Sequence, residues 1–288
     1  MARPTLTNAA KPATYDVEAY NERGEMVPTA VAGEHPLTLY VDKREIVTLM
    51  TLGHAPEALV IGYLRNQRLV DSVDEIESVQ VDWETDSAAV VTAHKKEPTI
   101  GKRTVTSGCG QGTVFGDLME EVDQIQLRKD VLLEDTNLFL LLEKVRKHET
   151  IYKQAGAVHG CALCTTAGEI LMFVEDVGRH NAVDAIAGFM WLDAIDGGDK
   201  VFYTTGRLTS EMVIKTVKMR IPVLVSRSGF TAWGVELARK ANLTLIGRAR
   251  GKRFTALAGE SRIVFDQDLA FVEEESAKHR RKAAVHDD

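Results

Sequence analysis

The chain changes rhythm after Thr150, and that change narrows its possible folds more than any other feature. Residues 157–166 and 169–174 alternate like the two arms of a hairpin across Ala167-Gly168. Beyond them, short apolar runs take turns with stretches of helical spacing. Residues 200–204, 223–225 and 243–246 read as buried strands; 181–192, 209–219 and 231–241 read as helices. Strands separated by single helices predict a three-layer α/β domain, with a largely parallel sheet between helical layers.

The first half reads differently. Residues 1–13 look like a flexible tail. Residues 15–20 alternate before a turn at 21–24, and 37–41 with 46–50 form a hairpin around a charged turn. Residues 55–64 predict a short helix with Pro56 in its first turn. Residues 76–83 and 88–93 predict a second hairpin. A helix starts at Asp135-Thr136, runs through Leu138, Leu141, Leu142 and Val145, and ends on Lys and Arg residues that suit its dipole. The predicted organisation is a tail (1–13), a smaller strand-rich α+β lobe (14–133), an α/β domain (134–270) and a charged C-terminal helix or tail (271–288). The basic run 278–282 reads as a solvated end.

Composition closes off several functions. The 288 residues are 44% hydrophobic and 27% charged, as in soluble globular proteins. A net charge of −7 argues against general nucleic-acid binding. The apolar run 138–142 is far too short for a membrane span, and residues 1–13 lack the apolar centre of a secretory signal. Three cysteines make no complete disulfide framework, so a reducing cytoplasm is the expected compartment.

One cysteine lies in a glycine frame, Thr106-Ser107-Gly108-Cys109-Gly110-Gln111-Gly112-Thr113. Glycines give the backbone freedom and leave the sulfur uncovered, as a thiolate nucleophile serving a bulky acceptor requires. The alternative is a small buried residue beside a tight turn.

Three Gly-Arg pairs, Gly178-Arg179, Gly206-Arg207 and Gly247-Arg248, each follow a predicted strand, and the first two precede helices. Open α/β sheets bind ligands beyond the carboxyl ends of their strands, where helix N-termini favour anions. Thr204, Thr205, Thr209, Ser210, Ser226, Ser228 and Thr231 cluster at the same ends. The last strand runs into the basic turn Arg248-Ala249-Arg250-Gly251-Lys252-Arg253. Together these predict a pocket for a phosphorylated ligand, the alternative being arginines that cap turns or pair with carboxylates such as Glu211.

At the strand-to-helix junction 175–184, His180 and Asp184 fall on one helical face, so Asp184 is placed to orient the imidazole. Ligand contact and simple helix capping both fit this cluster. His159, Cys161 and Cys164 offer three candidate zinc ligands. They also read as a strand with His159, Cys161 and Leu163 on one face and Cys164 on the other, and the H-x-E of zinc deaminases is missing. No zinc is therefore expected, although His159 still suits the pocket.

These segments, together with Glu34-His35-Pro36-Leu37, Ala155-Gly156-Ala157-Val158-His159, Thr205-Gly206-Arg207-Leu208-Thr209-Ser210-Glu211-Met212 and Gly178-Arg179-His180-Asn181-Ala182-Val183-Asp184, resemble the formate dehydrogenase accessory sulfurtransferase family of the FdhD/NarQ type. The resemblance implies a cytidine-deaminase-like α/β domain with a smaller lobe, assembled as a homodimer. It also implies a cytoplasmic carrier that takes sulfane sulfur from a cysteine desulfurase as a persulfide on Cys109. The recipient it implies is the molybdenum bis-molybdopterin guanine dinucleotide cofactor destined for formate dehydrogenase. Arg248 to Arg253 then match the cofactor-binding segment, with the Gly-Arg sites and His159 fitting a guanine-nucleotide-like ligand. Family members often carry Cys-x-x-Cys in the loop; here Gly112 occupies the second position, so one loop cysteine suffices or Cys161 or Cys164 assists. The competing readings are a cofactor-binding chaperone without sulfur transfer and a zinc-dependent deaminase-type hydrolase.

Overall fold

A computed structural model describes residues 3–93 and 124–266. Two mixed sheets flank a layer of helices. The first has strand order β1-β6-β7-β4-β5, formed by β1 (Thr5–Leu6), β4 (His35–Val41), β5 (Arg44–Thr51), β6 (Ile76–Asp82) and β7 (Ser87–Thr92). Its apolar alternation is plain: Leu37, Leu39 and Val41 turn inward along β4. Between β1 and β4, β2 (Thr14–Tyr20) and β3 (Met26–Ala32) pair only with each other as an antiparallel ribbon.

The second sheet has order β10-β9-β11-β12-β13-β14, from β9 (His159–Thr165), β10 (Ile170–Asp176), β11 (Lys200–Thr204), β12 (Val223–Ser226), β13 (Thr244–Arg250) and β14 (Arg253–Ala258). β11, β12 and β13 run parallel, whereas β9, β10 and β14 join antiparallel. Helix α1 (Pro56–Asn66) belongs to the first sheet. Helices α2 (Asp135–His148), α3 (Ile151–Ala155), α4 (Arg179–Leu192), α5 (Ser210–Lys218) and α6 (Ala232–Lys240) belong to the second. A short parallel pair, β8 (Leu133–Glu134) with β15 (Ile263–Val264), sits beside α2.

The second sheet is buried on both faces. On one, α4, α5 and α6 share a core with α1 and the first sheet through Leu59, Ile61, Val183, Ile186, Val213 and Leu237. On the other lies α2, whose Leu138, Leu141, Leu142 and Val145 repeat at helical spacing and pack on Ala162, Tyr203 and Ile246. Burying each of those side chains contributes about 2 kcal/mol.

The two halves meet where α1 crosses α4. A Cβ on Gly62 would fall on the carbonyl oxygen of Asp184, and one on Gly188 would fall on that of Ala58. Only glycine lets these backbones touch. Beside the crossing, Asp184 accepts from Asn66 Nδ2 at 2.6 Å and from Lys215 Nζ at 2.7 and 2.8 Å, all three residues being buried. Asp176 forms a second tie: it accepts from Thr51 Oγ1 (2.6 Å), Leu52 N, Gly178 N and Asn181 Nδ2, linking β5 to the start of α4.

Two expectations are corrected. Residues 1–13 do not all form a loose tail: β1 adds parallel to the open edge of β6, and the buried Glu57 accepts from Thr7 Oγ1 and Ala9 N at 3.0 and 2.8 Å. The final strand does not end at residue 246. It continues to Arg250 and turns back as β14, with Gly251 at φ +55° in the turn. Basic residues along the exposed positions hide that hairpin from an apolar-run reading. The predicted C-terminal helix lies outside the described residues.

Gly188→Ala is expected to lower unfolding stability by about 3 kcal/mol, because the Cβ meets backbone that cannot move aside. Gly24→Ala, with φ +75° but open space around it, is expected to cost about 1 kcal/mol. Urea unfolding of both variants checks the contrast; equal losses would remove the crossing from its special place.

Candidate functional site

The carboxyl ends of β10, β11, β12 and β13 and the start of β9 share one edge of the second sheet. The N-termini of α4 and α5 open onto it, so Gly178, Arg179, His180, His159, Gly206, Arg207 and the basic turn collect there. Cys109 and its glycine frame lie outside the described residues.

Arg179 opens α4 and is only 5% exposed. Its aliphatic stem lies against Gly206, where a Cβ would come within 2.7 Å of Arg179 Cδ. Glycine at 206 is therefore a matter of close approach. Nε and Nη2 of this buried guanidinium have no hydrogen-bond partner among the described residues. A buried charge without a counterion is costly, and its unspent donors mark a place prepared for an anion.

Neighbouring groups reinforce that field. His159, half-buried, lies 3.2 Å from Thr205 Oγ1 through Nδ1. Burial lowers its pKa first, and the cations Arg179, Arg227 and Arg207 lower it further. Both effects favour the neutral ring. The hydroxyls at this edge mostly shape the turns: Thr204 Oγ1 accepts from Gly206 N, and Ser226 Oγ donates to Gly206 O at 2.6 Å. Thr231 caps α6 by accepting from Gly234 N. Thr209 Oγ1, at the cap of α5, is buried and unpartnered among the described residues.

His180 is not oriented by Asp184. Asp184 is committed to Asn66 and Lys215, and His180 Nε2 instead lies 2.8 Å from Glu211 Oε2 on α5. The contact is a close approach rather than an aligned hydrogen bond. Burial lowers the His180 pKa and outweighs the pull of Glu211.

The third Gly-Arg pair is also corrected. Gly247 and Arg248 lie inside β13 rather than after its end, and a Cβ at Gly247 would strike the ring of Phe230. Arg248 is exposed at φ +53°, where the pairing with β14 slips. Around it, Ala249 is buried in the core, Lys252 is half-buried, and Arg250, Gly251 and Arg253 are exposed.

The zinc reading finds no geometry. Cys161 packs into the core shared with α4, Cys164 into the opposite one under α2, and burial pushes both thiols up to about 12. Among the described residues no cluster of three His, Cys, Asp or Glu is placed to hold a metal.

A cavity of about 440 Å³ adjoins the basic turn, and the sequence reading missed most of its lining. Arg250 and Gly251 meet Arg146, Glu149, Tyr152, Tyr203 and Arg227 there. Arg227 Nη1 donates to Glu149 Oε1 at 2.9 Å, and its guanidinium lies 5.1 Å from the centre of the Tyr152 ring. Glu175 builds this corner by accepting the free backbone N–H groups of Thr150, Ile151 and Tyr152 at the start of α3. Arg227 was legible in principle, since it follows a predicted strand; the missing glycine concealed it.

Known proteins share this fold and its sequence. The model of the FdhD/NarQ family matches residues 32–264. A sulfur carrier protein FdhD of Listeria innocua is 33% identical over 82% of this chain and 92% of its own. One from Sulfurisphaera tokodaii is 31% identical over 85% of this chain and 95% of its own. The crystal structure of a Desulfotalea psychrophila protein assigned as a formate dehydrogenase accessory protein superposes with a TM-score of 0.74 at 27% identity, covering 88% of this chain and all of that one. The chain belongs to the FdhD/NarQ family.

Proposed function

We propose that this protein is a sulfur carrier of the formate dehydrogenase pathway. Cys109 accepts sulfane sulfur from a cysteine desulfurase and passes it to the molybdenum bis-molybdopterin guanine dinucleotide bound as cargo. The observation that carries the binding half is the buried Arg179, with two unspent donors in a cationic field at the carboxyl edge of the sheet. A cargo with pyrophosphate groups supplies the missing anion, and Gly206 and the α4 and α5 N-termini allow it close. The basic turn 248–253 extends the same charge along the edge.

The thiol half rests on elimination and on family membership. A persulfide relay needs a thiolate that can be reached. Cys161 and Cys164 are buried and held protonated, so neither suits the task at neutral pH. That leaves Cys109, the third cysteine of the chain. In the loading step its thiolate attacks the terminal sulfur of the donor persulfide and the donor thiolate leaves. The FdhD relatives are sulfur carrier proteins by name, which supports the carrier role. Formate dehydrogenase as the enzyme served fits the likeness to the Desulfotalea psychrophila accessory protein. A homodimer, a cytoplasmic setting, a division near residue 134 and a deaminase-like ancestry for the second sheet belong to the same proposal. Among the described residues no helix is long and apolar enough to cross a membrane.

Intact-mass analysis after incubation with a cysteine desulfurase and cysteine tests the carrier step. Wild type is expected to gain reductant-labile sulfur and Cys109→Ala none. Equal gain by both overturns Cys109, and no gain by either leaves a binding chaperone without sulfur transfer. In native protein at pH 7.5, a thiol reagent is expected to label neither Cys161 nor Cys164 until denaturant is added. Arg179→Gln is expected to weaken pyrophosphate binding at least tenfold, read by calorimetry, while leaving sulfur loading intact. Unchanged binding would remove Arg179 from the site.

A further inference from the structure

The outer face of α2 carries large apolar side chains where a surface helix is normally polar. Thr136, Phe139, Leu140, Glu143 and Arg146 share that face at spacings of three and four residues or less. Phe139 packs on Phe254, and Phe254 stacks on Phe265, which is 67% exposed. Leu140 is 46% exposed. A groove of about 560 Å³ lies between this face and Gly251-Lys252. It shares Arg146 and Gly251 with the cavity beside the basic turn. An apolar strip open to solvent and ending on cations marks a docking surface.

The chain itself leads into that groove. After β15, Asp266 N donates to Asp135 Oδ1 at 3.2 Å, and Thr136 N donates to Asp266 Oδ1 at 3.0 Å. The backbone is thus pinned at Thr136, where the groove begins. The sequence that follows brings Leu269, Ala270, Phe271 and Val272, then Glu273, Glu274 and Glu275. The groove has the matching order along α2: Phe139 and Leu140 first, then Arg146, with Lys252 opposite. From Thr136 to Arg146 the helix rises about 15 Å. The seven residues from Asp266 to Glu273 span up to about 23 Å, so the carboxylates reach the cations. These residues lie beyond 264, where the match to the family ends, so their role belongs to this chain.

We propose that residues 269–275 return along α2 and occupy this groove. Leu269 and Phe271 cover Phe139 and Leu140, and the three glutamates stand over Arg146, Arg250 and Lys252. The carboxylates then screen the cations that an anionic ligand must approach, so segment and ligand compete for the basic turn. The docking needs only the groove. The competition rests on the reading of the cationic edge as an anion site.

Two measurements on the full chain test this. With Glu143→Cys and Ala270→Cys combined, mild oxidation by diamide is expected to join the two positions within one chain, as mapped by peptide mass spectrometry. Leu132, exposed beside β15, lies within similar reach of Asp266 away from the groove. The pair Leu132→Cys and Ala270→Cys is therefore expected to stay open. Equal trapping at both positions overturns the docking, as does trapping at neither. Trapping at Glu143→Cys only between two chains also overturns it and gives the groove to a second copy. Calorimetry with pyrophosphate then compares wild type with the combined Glu273→Gln, Glu274→Gln and Glu275→Gln variant. The variant is expected to bind about threefold more tightly or better. Equal affinity overturns the competition even where the disulfide forms. If neither protein binds pyrophosphate, the anion site falls, and the disulfide still decides the docking.

Discussion

Two helices touch backbone to backbone where Gly62 meets Asp184 and Gly188 meets Ala58, and the rest of the molecule is arranged around that contact. It brings α1 of the first sheet onto α4 of the second and merges their cores. The same approach seals Asp184 from water, so its charge must be answered locally. Lys215 from α5 and Asn66 from α1 answer it. Buried ion pairs are weak sources of stability, but removing one partner is severe. This triad therefore fixes the relative placement of three helices more than it adds to the fold's strength.

The site inherits its geometry from that placement. α4 begins at Arg179, and α5 begins beside Glu211 and Thr209, so the crossing also sets which donors face the sheet edge. Asp176 works from the other side: it takes four hydrogen bonds from β5 and the α4 start, holding the Gly178 turn that aims Arg179. Cations converge at this edge, and two of its carboxylates already have partners, Glu211 with His180 and Glu149 with Arg227. Charge left uncompensated inside a fold is tolerated when a ligand completes it.

Local patterns in the sequence carried most of the architecture. Apolar alternation and helical spacing located the hairpins, the three parallel strands and their helices, because those signals lie within a few residues of each other. Contacts across long separations were not legible. Spacing suggested Asp184 for His180, four residues away; the actual neighbour is Glu211, thirty-one residues on, supplied by packing of α5 on α4. Glu149 and Arg227 are 78 residues apart and met only through the fold. Gly247 looked like a phosphate glycine and serves the ring of Phe230 instead. β14 and the N-terminal β1 went unseen, one because the basic turn that leads into it, from Arg248 to Arg253, reads as a charged loop, the other because two residues make no pattern. The predicted strand placement of Cys161 and Cys164 on opposite faces matched the two cores.

The central claim is that the second sheet's carboxyl edge keeps a buried cation for an anion. A crystal structure of the protein with pyrophosphate tests this most directly. The account predicts a phosphate oxygen within about 3 Å of Arg179 Nε or Nη2, with the ligand beside Gly206 and the α4 N-terminus. Pyrophosphate bound elsewhere, with the Arg179 donors still unmet, would contradict it.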